Sequence, residues 1–335
     1  MDNIDKFFKQ SSALAITGFT GIGKSILASM YTKEIENRGE FAGIYWRKVD
    51  ETIDISDVVG SFFTVIGKPI ENLGRYKIID QLNHLFKELN AAPYFLVLDN
   101  FEILLDPQTN KPLKTGFSEL IEKANESGSR SKILFTSSEC PVSERGIRPR
   151  YYTIKGLDET AAIQLLRRNG LIKESENDLK KAIELSGGHP LALNLLVQLI
   201  EGEEDNLSSI LTDTTLWIGE EVAENILDKV YEERFNENER RLVQYLSLYR
   251  MPVPIQAIVL QADNPGWTEA EVKQLVSTLK KKSLLQKTGD YYWMESLIAI
   301  NAYNRLDSQT LRRQDRKSTR LNSSHCSRSR IPSSA

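Results

Sequence analysis

Cysteine is nearly absent. The 335 residues include only Cys140 and Cys326, too few for a disulfide framework. That excludes the small cross-linked secreted scaffolds and makes a reducing, cytoplasmic setting the expectation. Long apolar runs are missing too. None approaches the roughly 18 residues of a membrane span, so no membrane partner is expected. Met1-Asp2-Asn3-Ile4-Asp5 lacks the basic start and apolar stretch of a secretion signal. Nor does charge of one sign prevail. A net charge of −3 gives no overall attraction for nucleic acid or acidic membranes. What is present is ordinary: 40% hydrophobic and 27% charged residues, the composition of a globular protein with material for more than one core. The length allows two or three domains.

The last stretch differs in character. From Asp315 through His325 there is no apolar period, and few side chains are large. The alternatives are a disordered basic tail, an RNA-binding arm, or text that is not native protein. The string resembles an in-frame translation of a sequencing-library adapter running on to Ala335. Residues 315–335 are therefore set aside from fold reasoning, within a tail taken as 309–335. The tail carries Arg316, Lys317, Arg320, Arg328 and Arg330 against Asp315, so the rest of the chain is more acidic than the total shows. The natural chain is expected to continue past Gln314.

Chemistry is concentrated near the start. Ala13-Leu14-Ala15-Ile16-Thr17 reads as a buried strand. Gly18-Phe19-Thr20-Gly21-Ile22-Gly23-Lys24-Ser25 follows, and Ile26 begins a helical run. Strand, glycine loop and helix in that order form a phosphate-binding P-loop. Its glycines let backbone N–H groups turn inward around a phosphate. The helix N-terminus adds partial positive charge. Lys24 is expected at the β- and γ-phosphates, and the Ser25 hydroxyl on Mg²⁺.

A second apolar run, Tyr94-Phe95-Leu96-Val97-Leu98, ends in Asp99. A buried strand delivers its terminal carboxylate to the sheet edge that holds the phosphate loop. Asp99 is the expected Mg²⁺ partner, through water. Asn100 follows, and an amide cannot accept a proton from water as a carboxylate does. Glu102 is the nearby candidate to polarise water; a solvated loop acid is the alternative. Gly43–Trp46 and Lys132–Thr136 read as further strands, with hydroxyls at Thr136, Ser137 and Ser138 as candidate γ-phosphate sensors. Strands alternating with amphipathic helices indicate a parallel α/β sheet with helices on both faces, over residues 1–155.

Beyond Ile154 the pattern is helical. Asp158 caps one helix. Another ends at Gly187-Gly188, and Pro190 opens the next. A small helical lid is expected over 156–212. Over 213–308, helices including the Thr268-x-x-Glu271 capping box precede two short strand-like runs, Ser283–Gln286 and Tyr291–Met294. A winged-helix domain is expected there. Lys280-Lys281-Lys282 could contact DNA phosphates or be solvated charge favoured by a helix C-terminus.

The phosphate loop, Leu96-Val97-Leu98-Asp99-Asn100-Phe101-Glu102 and Gly187-Gly188-His189-Pro190-Leu191-Ala192-Leu193 occur in the order of the NB-ARC branch of STAND ATPases. The chain resembles that family over about residues 13 to 306. The resemblance implies an ATP/ADP-binding molecular switch with slow ATP hydrolysis, Mg²⁺ as cofactor and a nucleotide-dependent homo-oligomer. It implies that Pro190 touches the base or ribose. Two positions depart from the family pattern. Ser138 stands where an arginine is common. Glu295 stands where a histidine usually meets the ADP β-phosphate, and an ionised carboxylate would repel it. Weak ADP locking is the expectation. The family's upstream nucleotide-contacting segment is expected to be missing, so the sequence reads as a fragment at both ends. The alternative function is a nucleotide-gated transcription regulator that binds DNA through its winged helix.

Overall fold

The computed structural model describes residues 2–126, 128–200, 206–219, 221–249, 252–261 and 266–306. The 315–335 tail and Cys326 lie outside them. The chain divides into two compact units, Met1–Lys155 and Gly156–Ala335.

The first unit contains α1 (Asp2–Gln10), β1 (Ala13–Thr17), α2 (Lys24–Arg38), β2 (Gly43–Lys48), α3 (Ile55–Val65), α4 (Ile78–Ala91), β3 (Tyr94–Asp99), α5 (Phe117–Glu126), β4 (Lys132–Ser137) and β5 (Arg150–Thr153). Its five strands pair in the order β2-β3-β4-β1-β5, every pairing parallel. Alternation along the strands builds two cores. Ala13, Ala15, Leu96, Leu98, Ile133 and Phe135 face α3, α4 and α5. Leu14, Ile16, Phe95, Val97 and Leu134 face α1 and α2. Both faces are covered, as a parallel sheet requires. Phe95, fully buried against the rings of Phe8, Tyr31 and Phe41, contributes on the order of 2–3 kcal/mol by burial.

Helix α1 was not legible as an element, because nine residues give little period to read. Ile4 and Phe8 lie one turn apart on it and are both buried. Asp5, between them in sequence, ties α1 to α2. Its carboxylate accepts from Tyr31 Oη at 2.7 Å and from both Arg38 guanidinium nitrogens at 3.1 Å. Burial alone would raise the Asp5 pKa. The hydrogen bonds from Arg38 and Tyr31 and the nearby Arg38 charge outweigh it, so the pKa lies below its usual 3.8. A lowered folded-state pKa contributes stability above the unfolded value, and that stability is lost as pH falls through the folded one. Asp5→Asn is therefore expected to lower the melting temperature at pH 7, with the difference from the wild type shrinking as the pH falls below 3.8. Equal melting temperatures at pH 7 would remove Asp5 from the account.

The second unit contains α6 (Glu159–Arg168), α7 (Glu176–Leu185), α8 (Pro190–Ile200), α9 (Leu207–Thr212), α10 (Val222–Glu233), α11 (Glu237–Leu246), β6 (Val253–Pro254), α12 (Ile255–Gln261), α13 (Glu269–Lys281), β7 (Gln286–Thr288), β8 (Tyr291–Trp293) and α14 (Ser296–Asn304). One apolar cluster runs through it from Ala162 to Ala302. The capping box at Thr268 and Glu271 forms, as does the Asp158 cap. The small sheet has the antiparallel order β6-β8-β7.

Two sequence readings shift here. The run expected as a strand from Ser283 begins pairing only at Gln286. Leu284 and Leu285 both donate their N–H groups to Leu279 O, closing α13 instead of joining a ladder, and both side chains are buried. Lys282, read as surface charge, is an internal partner. Its Nζ lies 2.8 Å from buried Glu239 Oε1 and donates to Arg234 O at 3.1 Å.

Candidate nucleotide site

Strand β1 is buried along its whole length and delivers the glycine loop at its C-terminal end. Gly18 takes φ +142°, and a Cβ there would come within 3.1 Å of Ile154 O. Gly23 takes φ +105° at the cap of α2. Both conformations favour glycine, and together they turn the loop over the helix N-terminus. Helix α2 begins at Lys24, directly after these glycines. The first N–H groups of a helix have no intrahelical acceptor, so this is a cradle of donors suited to an anion. Phe19 and Ile26 are exposed, Ile22 is buried, and Thr20 is half-buried.

Lys24 is buried. Its Nζ donates to Gly18 O at 2.8 Å and to Phe19 O at 3.1 Å, which holds the ammonium under the loop. Ser25 Oγ donates to Asp99 Oδ1 at 2.6 Å. Asp99 Oδ1 also accepts from Thr136 Oγ1 at 2.5 Å, and Thr136 Oγ1 accepts from Asn100 N at 2.9 Å. The strand order explains this chain of contacts. Strand β4 lies between β1 and β3, so the end of β4 meets both the loop and the carboxylate. Thr136, expected as a phosphate sensor, instead holds Asp99. Nothing in the sequence gave the order of strands, and without it Thr136 could not be placed.

Asn100 adopts φ +69°, which asparagine tolerates better than most residues. That turn starts the short 3₁₀ helix Phe101–Leu104. It brings Glu102 Oε1 to 4.0 Å from Lys24 Nζ. Glu102 Oε2 is buried without a hydrogen-bond partner, as is Ser137 Oγ. Burial pushes the Glu102 carboxyl above the usual carboxylate range, against the pull of Lys24 in the other direction. Lys24, Ser25, Asp99 and Glu102 are thus gathered at one end of one sheet. Pro190 belongs to the second unit, where it is the first residue of α8 and half-buried.

Among the described residues, no group of three or more His, Cys, Asp or Glu could hold a metal ion alone. The donors fit Mg²⁺ nonetheless. A hydroxyl and a carboxylate 2.6 Å apart are hard oxygen ligands, and Mg²⁺ commonly binds one or two such groups plus phosphate oxygens and water.

The family model of the NB-ARC domain matches residues 2–176. The chain belongs to the NB-ARC family. Membership in that family implies nucleotide binding, usually with Mg²⁺. A search of curated proteins found no match. Among solved structures, this NB-ARC chain is similar to a STAND protein with a tetratricopeptide repeat sensor from Pyrococcus horikoshii. The two are 19% identical with a TM-score of 0.65, over 96% of this chain and 44% of that one. At that identity the likeness shows a shared fold, and the chain spans less than half the length of that relative. A Walker-type ATPase from Pyrococcus abyssi is 17% identical with a TM-score of 0.42, over 90% of this chain and 93% of that one. No described helix is long and apolar enough to cross a membrane.

Proposed function

We propose that this protein is a cytoplasmic signalling switch that binds ADP or ATP with Mg²⁺ and hydrolyses ATP slowly. One observation carries the reading: Lys24, Ser25, Asp99 and Glu102 converge beside a glycine loop that leads into the N-terminus of α2. The loop Gly18–Ile26 would hold the phosphates, chiefly through N–H groups at the start of α2, and Lys24 would leave its loop carbonyls for the β- and γ-oxygens. Ser25 and Asp99 would hold Mg²⁺, which offsets phosphate charge when bound. Glu102, whose burial makes it a stronger base than an exposed carboxylate, would orient and deprotonate the attacking water. Asn100 supplies no second acid beside Asp99, which supports slow turnover.

The second unit reads as a helical lid over 156–212 followed by a winged helix over 213–308, with Pro190 meeting the base or ribose. Assembly into a nucleotide-dependent homo-oligomer belongs to the same reading. The DNA-binding alternative loses support from Lys282, which is committed to Glu239; Lys280 and Lys281 remain for it.

Calorimetry with ADP, and with ATP plus Mg²⁺, tests the reading. Both are expected to bind at micromolar or tighter affinity, with turnover below about 0.01 per second. Absence of heat with both nucleotides would overturn it.

A further inference from the structure

Edge strand β2 ends beside Asp99. Its register on β3 sets Lys48 opposite Asp99 and Arg47 opposite Leu98. Val49 N–H donates to Asp99 O at 2.8 Å, so the register holds past the strand end. Side chains alternate between the two faces of a strand. Ile44 and Trp46 pack on the core beneath α1 and α2, and so do Phe95 and Val97 of β3. Two residues after Trp46 and Val97, Lys48 and Asp99 lie on that same face. Arg47 turns to the other face, which it shares with Tyr45. Ser25, at the start of α2, reaches Asp99 Oδ1 at 2.6 Å. Ser25, Asp99 and Lys48 thus follow one another across the sheet, all within the first unit.

Lys48 is half-buried. No described residue gives its ammonium a hydrogen bond or an ion pair. Lys24 differs, because two loop carbonyls already hold it. Asp99 Oδ1 accepts instead from the Ser25 and Thr136 hydroxyls. A partly desolvated cation without a partner is costly, and an anion arriving beside it offsets that cost. Neighbouring strands lie ~4.8 Å apart, and lysine carries its charge on a flexible four-carbon stem. Lys48 can therefore meet negative charge added on the far side of Asp99 from the loop.

Diphosphate and triphosphate differ there. In the proposed binding mode the loop and Lys24 hold the β-phosphate, and the terminal phosphate of ATP extends toward Asp99. We propose that Lys48 is a specificity-determining residue that favours the nucleoside triphosphate over the diphosphate. The inference rests on the nucleotide reading above and assigns the preference between its two ligands to the edge strand.

Calorimetry on the full chain with Mg²⁺ tests it, with ADP and a non-hydrolysable ATP analogue as separate probes. Lys48→Met is expected to weaken the analogue about tenfold and ADP by less than about twofold. Lys48→Arg keeps the charge and is expected to restore most of the analogue's affinity. ADP binding by Lys48→Met reports a folded site; should that variant fail to fold, Lys48→Gln takes its place with the same expectation. Equal losses for both probes, no loss for either, or a Lys48→Arg variant as weak as Lys48→Met would each overturn the proposal. A wild type that binds neither probe would instead remove the nucleotide reading on which it stands.

Discussion

Lys24→Ala is expected to weaken ADP and ATP binding by about a hundredfold, or about 3 kcal/mol, while the melting temperature in the absence of nucleotide changes little. The size follows from what Lys24 does now. Its ammonium already donates to Gly18 O and Phe19 O. Binding a phosphate exchanges those contacts for charge-assisted ones, so the net loss is smaller than the gross strength of the new bonds. The loop conformation itself rests on glycine backbone angles and on the Gly18 N–H bond to Ser138 O, neither of which needs the ammonium. Calorimetry on the variant checks the affinity, and thermal unfolding checks the fold. Unchanged affinity with an intact fold would mean that the nucleotide does not use this loop.

Glu102→Gln is expected to lower ATP hydrolysis by about a hundredfold or more and to leave nucleotide affinity within a few-fold. Glutamine keeps the shape and cannot accept the proton. The 4.0 Å approach to Lys24 is too long for a strong contact, so its loss should barely alter binding. The effect on stability has a definite sign. A carboxyl whose folded pKa is raised contributes stability below its unfolded pKa, and that contribution is lost as pH rises through the folded value. At neutral pH the buried carboxylate is therefore a cost, and the amide should hold or raise the melting temperature. Phosphate release and thermal unfolding measure the two effects. Hydrolysis that survives the substitution would leave Glu102 as a buried acid without a part in the reaction.

Much of the first unit could be read directly. The alternation of Leu14 and Ile16 against Ala13 and Ala15, and of Phe95 and Val97 against Leu96 and Leu98, gives buried strands on sight, and helices on both faces follow from them. The phosphate loop carries its own spacing. Asp99 was legible because an acid at the end of an apolar run is costly unless it has a task. The rest depended on contacts that no local pattern encodes. Thr136 holds Asp99 only because β4 lies between β1 and β3. Glu102 turns toward Lys24 only because Asn100 takes a left-handed conformation. Lys282 looks like the last of three surface charges, and its partner Glu239 is distant in sequence.

The strand wedged between loop and acid changes how related sequences should be screened. Intact glycines, lysine and aspartate are what a pattern search rewards, yet the aspartate's aim is kept by a hydroxyl from a third strand. A chain could pass such a search and still present its carboxylate at the wrong angle for magnesium. A screen for intact sites of this kind should therefore read position 136 beside the motifs.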